Sequence, residues 1–228
     1  IEGKISVKYL WPFPKEILFK LLKLGVPTAG ENISYNIAQI IILMMVNSFD
    51  SVVITNTKNF ATIVSNFAYL YSVSAAVATS IIVGHAVGAG EYDFAYGRVI
   101  KSLKKSLVIS VAIAFVSWIV SPITIGLFTN SNEIIRLSQK VLAICIFLEV
   151  GRTANLVVIN SMRAAGDVKF PTYLGMASMW GVSVLLGYVF GIVFHFGLLG
   201  VWFAMALDEW VRAIIVYIRW KKGGWRGK

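Results

Sequence analysis

LKKSLVISVAIAFVSWIVSPITIGL, residues 103–127, decides the fold class. From Ser106 to Leu127 it contains no charged side chain. A helix needs about 20 apolar residues to cross the hydrocarbon of a bilayer, and this run is long enough. It is too long and too continuous for a membrane β-strand, which alternates polarity over about ten residues. Comparable apolar stretches occupy 24–49, 60–87, 134–159, 171–196 and 198–219. Together with 103–127 they predict an all-α integral membrane protein, a bundle of six transmembrane helices joined by short connections. Pro171 opens the fifth helix where its missing N–H costs nothing, and Pro27 is expected to kink the first.

Composition agrees. The chain has 228 residues, 57% hydrophobic and 14% charged, with a mean hydropathy of +0.76. A soluble domain would carry roughly a quarter of its residues as charged groups, and a disordered chain would be far less apolar. The single cysteine, Cys145, excludes a disulfide framework and a cysteine-based zinc site.

The net charge of +10 does not mark a nucleic-acid binder. The basic residues gather at alternate helix ends: Lys4 to Lys23, Arg98 to Lys105, Arg163 with Lys169, and Arg219 to Lys228. There they face anionic lipid headgroups, and the alternation places both termini in the cytoplasm by the positive-inside rule. Residues 1–23 form an interfacial segment, amphipathic over 9–24; 24–219 form the bundle; 220–228 form a basic tail. Trp11, Trp220 and Trp225 are expected in an interfacial aromatic belt. The first residue is Ile1 and no signal peptide is visible, so a segment of a longer multi-pass cell-membrane protein is expected.

Ionisable groups inside a span cost about 2.5–3.5 kcal/mol on insertion scales, so each needs a reason. The first span carries Glu31, four residues after Pro27. On the fourth, at about 100° per residue, Cys145, Glu149, Arg152, Thr153, Leu156, Asn160 and Arg163 fall in one wedge that cannot face lipid. Glu149 and Arg152 can pair at i, i+3. This wedge is either the wall of a water-accessible cavity or a fixed interhelical clamp. The sixth span carries Asp208, Glu209 and Arg212. One arginine cannot neutralise both acids, so a proton, another helix or a cation is expected to complete the set. The second span presents Thr62, Asn66, Tyr69 and Ser80 at helical spacing, and Gly84 and Gly88 permit close helix contact. The ion-coupling candidates are therefore Glu31, Glu149, Asp208 and Glu209; the cavity candidates are Asn66, Tyr69, Arg152, Thr153 and Asn160. His85 reads as structural. GxSxG, HExxH and P-loop patterns are absent, and Gly88-Ala89-Gly90 follows a membrane helix rather than a strand, so no enzyme is indicated.

Several motifs occur in the order and spacing of one known family. GVPTAGEN (25–32) resembles the GxP opening of one half of the multidrug and toxic compound extrusion (MATE) transporters. VGHAVGAGEYDFAYGR (83–98) is similar to their G-x3-GAG-x4-A loop, NSMRAAGDVKFP (160–171) to their R-x2-GD-x3-P turn, and ALDEWVRA (206–213) to their last helix. The resemblance covers nearly the whole chain. It implies one lobe of a two-lobe, V-shaped transporter, the C-terminal one, whose partner is an N-terminal six-helix lobe or a second copy of the chain. It further implies exchange of Na⁺ or H⁺ for amphipathic, often cationic drugs or metabolites, with no cofactor beyond the coupling ion. Glu31 and Glu149 match the helix positions of the family's cation sites in this lobe, which makes them the candidates for Na⁺. Two other functions fit a related architecture: a flippase of lipid-linked oligosaccharides, for which Arg152 and Arg163 speak, and a non-transporting membrane scaffold subunit.

Overall fold

The computed structural model describes residues 15–227. It is a six-helix bundle, and among the described residues there is no strand. The helices are α1 (Lys15–Asn47), α2 (Val52–Gly88), α3 (Tyr92–Gly126), α4 (Asn132–Ala164), α5 (Lys169–Val193) and α6 (Gly197–Lys221). Four of them, α2 to α5, are long and apolar enough to cross a membrane on those grounds alone. The other two are diluted by polar groups: Glu31, Asn32, Asn36 and Gln39 in α1, and Asp208, Glu209 and Arg212 in α6.

The first helix runs unbroken through position 27 and begins at Lys15. Residues 15–23, assigned from sequence to an interfacial segment, therefore continue the first span as helix; the rest of that segment, Trp11 included, lies outside the described residues. The N-termini of α2 and α4 are capped by Ser51 and Ser131, whose hydroxyl oxygens accept from the amides of Ile54 and Ile134.

The fourth helix is the axis of the bundle, packed on α2, α3 and α6. Small residues make this possible. A Cβ at Gly151 would sit 2.8 Å from the Trp210 ring and 3.0 Å from its backbone nitrogen, so α4 and α6 meet there on bare backbone. Gly84 likewise lies against Ala164, whereas Gly88 touches nothing. Apolar packing gathers in two clusters. One holds Val83, Val99, Val157, Met162, Val216, Trp220 and Trp225, at the end of the bundle where α6 finishes; the other holds Ile42, Val46, Ile125, Leu142, Leu148, Val201 and Trp202, towards the opposite end. Between them lies a polar layer. Thr153 donates to Ser110 at 2.8 Å and shares a 2.8 Å hydrogen bond with Ser72, tying α2, α3 and α4 at mid-height.

The fifth helix alternates α-turns with π-helical turns at Met179–Val184 and Val189–Val193. Such turns insert an extra residue, shift the side-chain register and often mark functional positions. The hairpin into α6 is tight: a Cβ at Gly200 would meet the Phe190 carbonyl at 2.6 Å.

Trp220 and Trp225 are not in a lipid-facing belt. They stack on each other with ring centres 4.1 Å apart and are fully buried, and the Trp225 indole donates to the Trp220 carbonyl at 3.0 Å. The tail folds back, and Arg226 reaches Asp93 at the start of α3 at 2.7 Å.

Candidate functional site

A cavity of about 360 Å³ opens between α1 and α2, which diverge from each other, and is backed by α4, α5 and α6. Its wall is the polar layer of the bundle. The second helix contributes Lys58, Thr62, Ser65, Asn66 and Tyr69, one stripe with helical spacing. Tyr35 and Gln39 face it from α1, Arg152 and Asn155 from α4, and Asp208, Glu209 and Arg212 from α6.

The charged side chains form one network. Arg152 Nη1 donates to Glu149 Oε1 at 2.6 Å, and its Nε lies 3.9 Å from Glu209 Oε1. Arg212 pairs with Glu209 at 3.4 Å and also with Asp208. Asn155 Nδ2 donates to Glu209 Oε2 at 2.8 Å, and the Ser178 hydroxyl donates to Asp208. The Arg152 guanidinium lies over the Tyr69 ring, 5.4 Å from its centre. Two helices thus share two guanidinium groups among three carboxylates, and Asn155 and Ser178 add hydrogen bonds to Glu209 and Asp208. Glu149 is the exception: it is fully buried and its Oε2 has no partner.

The sequence expectation that Arg212 cannot by itself serve Asp208 and Glu209 meets a specific answer here: Arg152 of α4 is the second base. Glu31 lies elsewhere. Both its carboxylate oxygens accept from Arg163 Nη2, at 2.8 and 2.6 Å, and Oε2 also accepts from Thr172 at 3.0 Å. The cluster clamps α1 to the end of α4 and the start of α5, and a Cβ at Gly175 would crowd it at 3.0 Å. Glu31 and Glu149 share no partner, so the structure does not bring them together.

Of the cavity candidates, Asn66, Tyr69 and Arg152 line the opening. Thr153 and Asn160 do not. Thr153, about 100° round α4 from Arg152, is fully buried in the hydroxyl chain with Ser72 and Ser110. Asn160 turns its amide back to the Leu156 carbonyl. A wedge drawn on a helix in the middle of a bundle does not separate a cavity face from a packed one, because α2, α3 and α6 all pack on α4. Lys58, Asn155 and Ser178 were missed. Lys58 had a readable signal, sitting four residues before Thr62 on the same stripe. Asn155 and Ser178 had none, because their roles depend on which helix lies opposite.

An open, charged, aromatic-lined cavity within a bundle of membrane helices is the kind of site that membrane transporters use. Comparison with known proteins gives the family. The MatE family model matches residues 27–189, and the chain belongs to this family of transporters. It is 42% identical over 225 residues to the uncharacterized transporter YisQ of Bacillus subtilis (strain 168), covering 99% of this chain and 49% of that protein. It is 25% identical over 221 residues to the probable multidrug resistance protein YoeA of the same organism, covering 95% and 48%. The fold matches an outward-facing multidrug resistance MATE transporter of the MOP superfamily with a TM-score of 0.85 at 18% identity, covering 99% of this chain and 51% of that one. A MATE crystal structure in complex with MaL6 matches with a TM-score of 0.83 at 18% identity, covering 99% and 51%. The chain spans about half the length of the curated relatives it matches.

Proposed function

We propose that the chain is the C-terminal lobe of an antiporter that exports small amphipathic molecules in exchange for a cation. In this reading it works in the cell membrane with both termini in the cytoplasm. The missing wall of the cavity is supplied by an N-terminal six-helix lobe or by a second copy. The observation that carries the reading is the network of Glu149, Arg152, Glu209, Arg212 and Asp208 placed on the wall of an open cavity. Charges at this depth are costly, and a scaffold would have no use for them.

Glu149 is the coupling residue we favour. Its Oε2 is free to take a proton while Oε1 holds Arg152. A proton there would cancel the charge that draws Arg152 away from the cavity. The guanidinium would then lean towards Glu209, 3.9 Å away, and change the wall that substrate meets. Coupling needs such a difference, since a ligand shifts a conformational equilibrium only through unequal affinity for its two states. The donor sets suit a proton better than Na⁺. Both Glu31 oxygens are occupied, Glu149 stands beside a guanidinium, and among the described residues no three His, Cys, Asp or Glu side chains cluster to hold a metal ion. The two arginines that would serve a pyrophosphate-bearing lipid are both engaged, Arg163 with Glu31 and Arg152 with Glu149.

Proteoliposomes holding the intact protein test the reading. A pH gradient, acidic on the side that receives the dye, should drive accumulation of an amphipathic dye, and an Na⁺ gradient at constant pH should not. Dye movement under neither gradient would refute antiport; movement under Na⁺ alone would replace the proton by Na⁺.

A further inference from the structure

The resemblance to extrusion transporters implied cationic cargo, but the charge inventory of the cavity points the other way. We propose that the cavity selects an amphipathic molecule bearing a carboxylate, as an anion or a zwitterion, and that Lys58 is the residue that meets this group. The inference rests on the transport reading and adds the sign of the recognised charge.

Neither acid that lines the cavity is left for a cationic ligand. Asp208 is held by Arg212 and by the Ser178 hydroxyl. Glu209 accepts from Asn155 at 2.8 Å and lies within 4 Å of both Arg152 and Arg212. Glu149 stands behind Arg152, wholly out of contact with solvent. The surplus is in donors. Lys58 lines the cavity, and among the described residues no carboxylate oxygen lies within 4.0 Å of its ammonium. Arg212 Nε is buried beside the same opening with no acceptor. A cation entering would meet three basic side chains, and the acids beside them are already paired with Arg152 and Arg212. A carboxylate entering would gain a charge-assisted hydrogen bond from Lys58.

The placement of Lys58 suits capture. It lies six residues inside α2, where a lysine on the lipid side would have to snorkel out to the headgroups. Instead its stripe leads inward through Thr62 and Asn66 to Tyr69, whose ring supports Arg152. Tyr35 and Trp202 line the same space and offer apolar surface for the rest of the molecule.

Rhodamine B and its ethyl ester test the assignment, since they share a chromophore and differ by one carboxylate. Binding to the detergent-solubilised intact protein is read by fluorescence polarisation. Rhodamine B is expected to bind about tenfold more tightly than the ester, the worth of one charge-assisted contact. Lys58→Gln should reduce its affinity to that of the ester and leave the ester unchanged, while Lys58→Arg should keep the preference. Equal binding of the two dyes by the unmodified protein, a preference for the ester, or a preference that survives Lys58→Gln would overturn the charge assignment and leave the transport reading standing. Failure of the unmodified protein to bind either dye would overturn both.

Discussion

Arg152 joins three parts of the site. It holds Glu149 at 2.6 Å, approaches Glu209 at 3.9 Å and lies over Tyr69. Removing it would leave Glu149 ionised, fully buried and without a counter-ion. Arg152→Ala is therefore expected to cost about 3–5 kcal/mol, the usual penalty for breaking a buried pair from one side. Replacing both partners, as in Arg152→Met with Glu149→Leu, removes the stranded charge and should cost distinctly less. Thermal unfolding of the intact protein in detergent distinguishes the two; a double variant as unstable as the single one would show that the pair is not the source of the loss. The i, i+3 spacing made this pair legible in the sequence, because two residues on one helix fix their own geometry. Arg212, four residues after Asp208, was legible in the same way, but the partners that Asp208 and Glu31 find on other helices were not. Ser178, Arg163 and Thr172 come from other helices, and nothing local in the chain encodes which helices meet.

At the scale of elements, hydrophobic length and turn residues located the spans well. Each of the six predicted stretches falls largely within one helix; every helix begins earlier than predicted, and the first, third and fifth end one to three residues sooner. The π-turns of α5 had no visible signal, and neither did the fold-back of the tail. Trp220 and Trp225 looked like interfacial anchors because isolated tryptophans near a basic tail usually are. Their spacing of five residues instead lets a turn at Lys222–Gly224 stack them, while Arg219, in the last turn of α6, pairs with Asp167 at 2.7 Å and covers the Phe170 ring. The tail is thus part of the bundle. Trp225→Ala should release it, costing about 3 kcal/mol and opening the Lys221–Lys222 bonds to trypsin. Unaltered cleavage rate and melting temperature in that variant would mean the stack contributes nothing to docking.

The whole molecule consists of two apolar clusters separated by a polar layer, and function is argued to live in that layer. In lipid, helices gain little from hiding apolar surface from one another, so packing and interhelical hydrogen bonds carry the association. The Ser72–Thr153–Ser110 chain and the shared arginines supply those bonds on two faces of α4. The same axis that holds the bundle together also presents Arg152 to the cavity, so one helix carries both Glu149 and part of the cavity wall. If Glu149 carries the coupling proton, as proposed, Glu149→Gln tests it directly. Glutamine keeps the shape and a hydrogen-bond acceptor for Arg152 but cannot ionise. In proteoliposomes containing the intact protein, dye transport driven by a pH gradient should be lost, with a melting temperature close to that of the unmodified protein. Unchanged gradient-driven transport by a folded Glu149→Gln protein would contradict it.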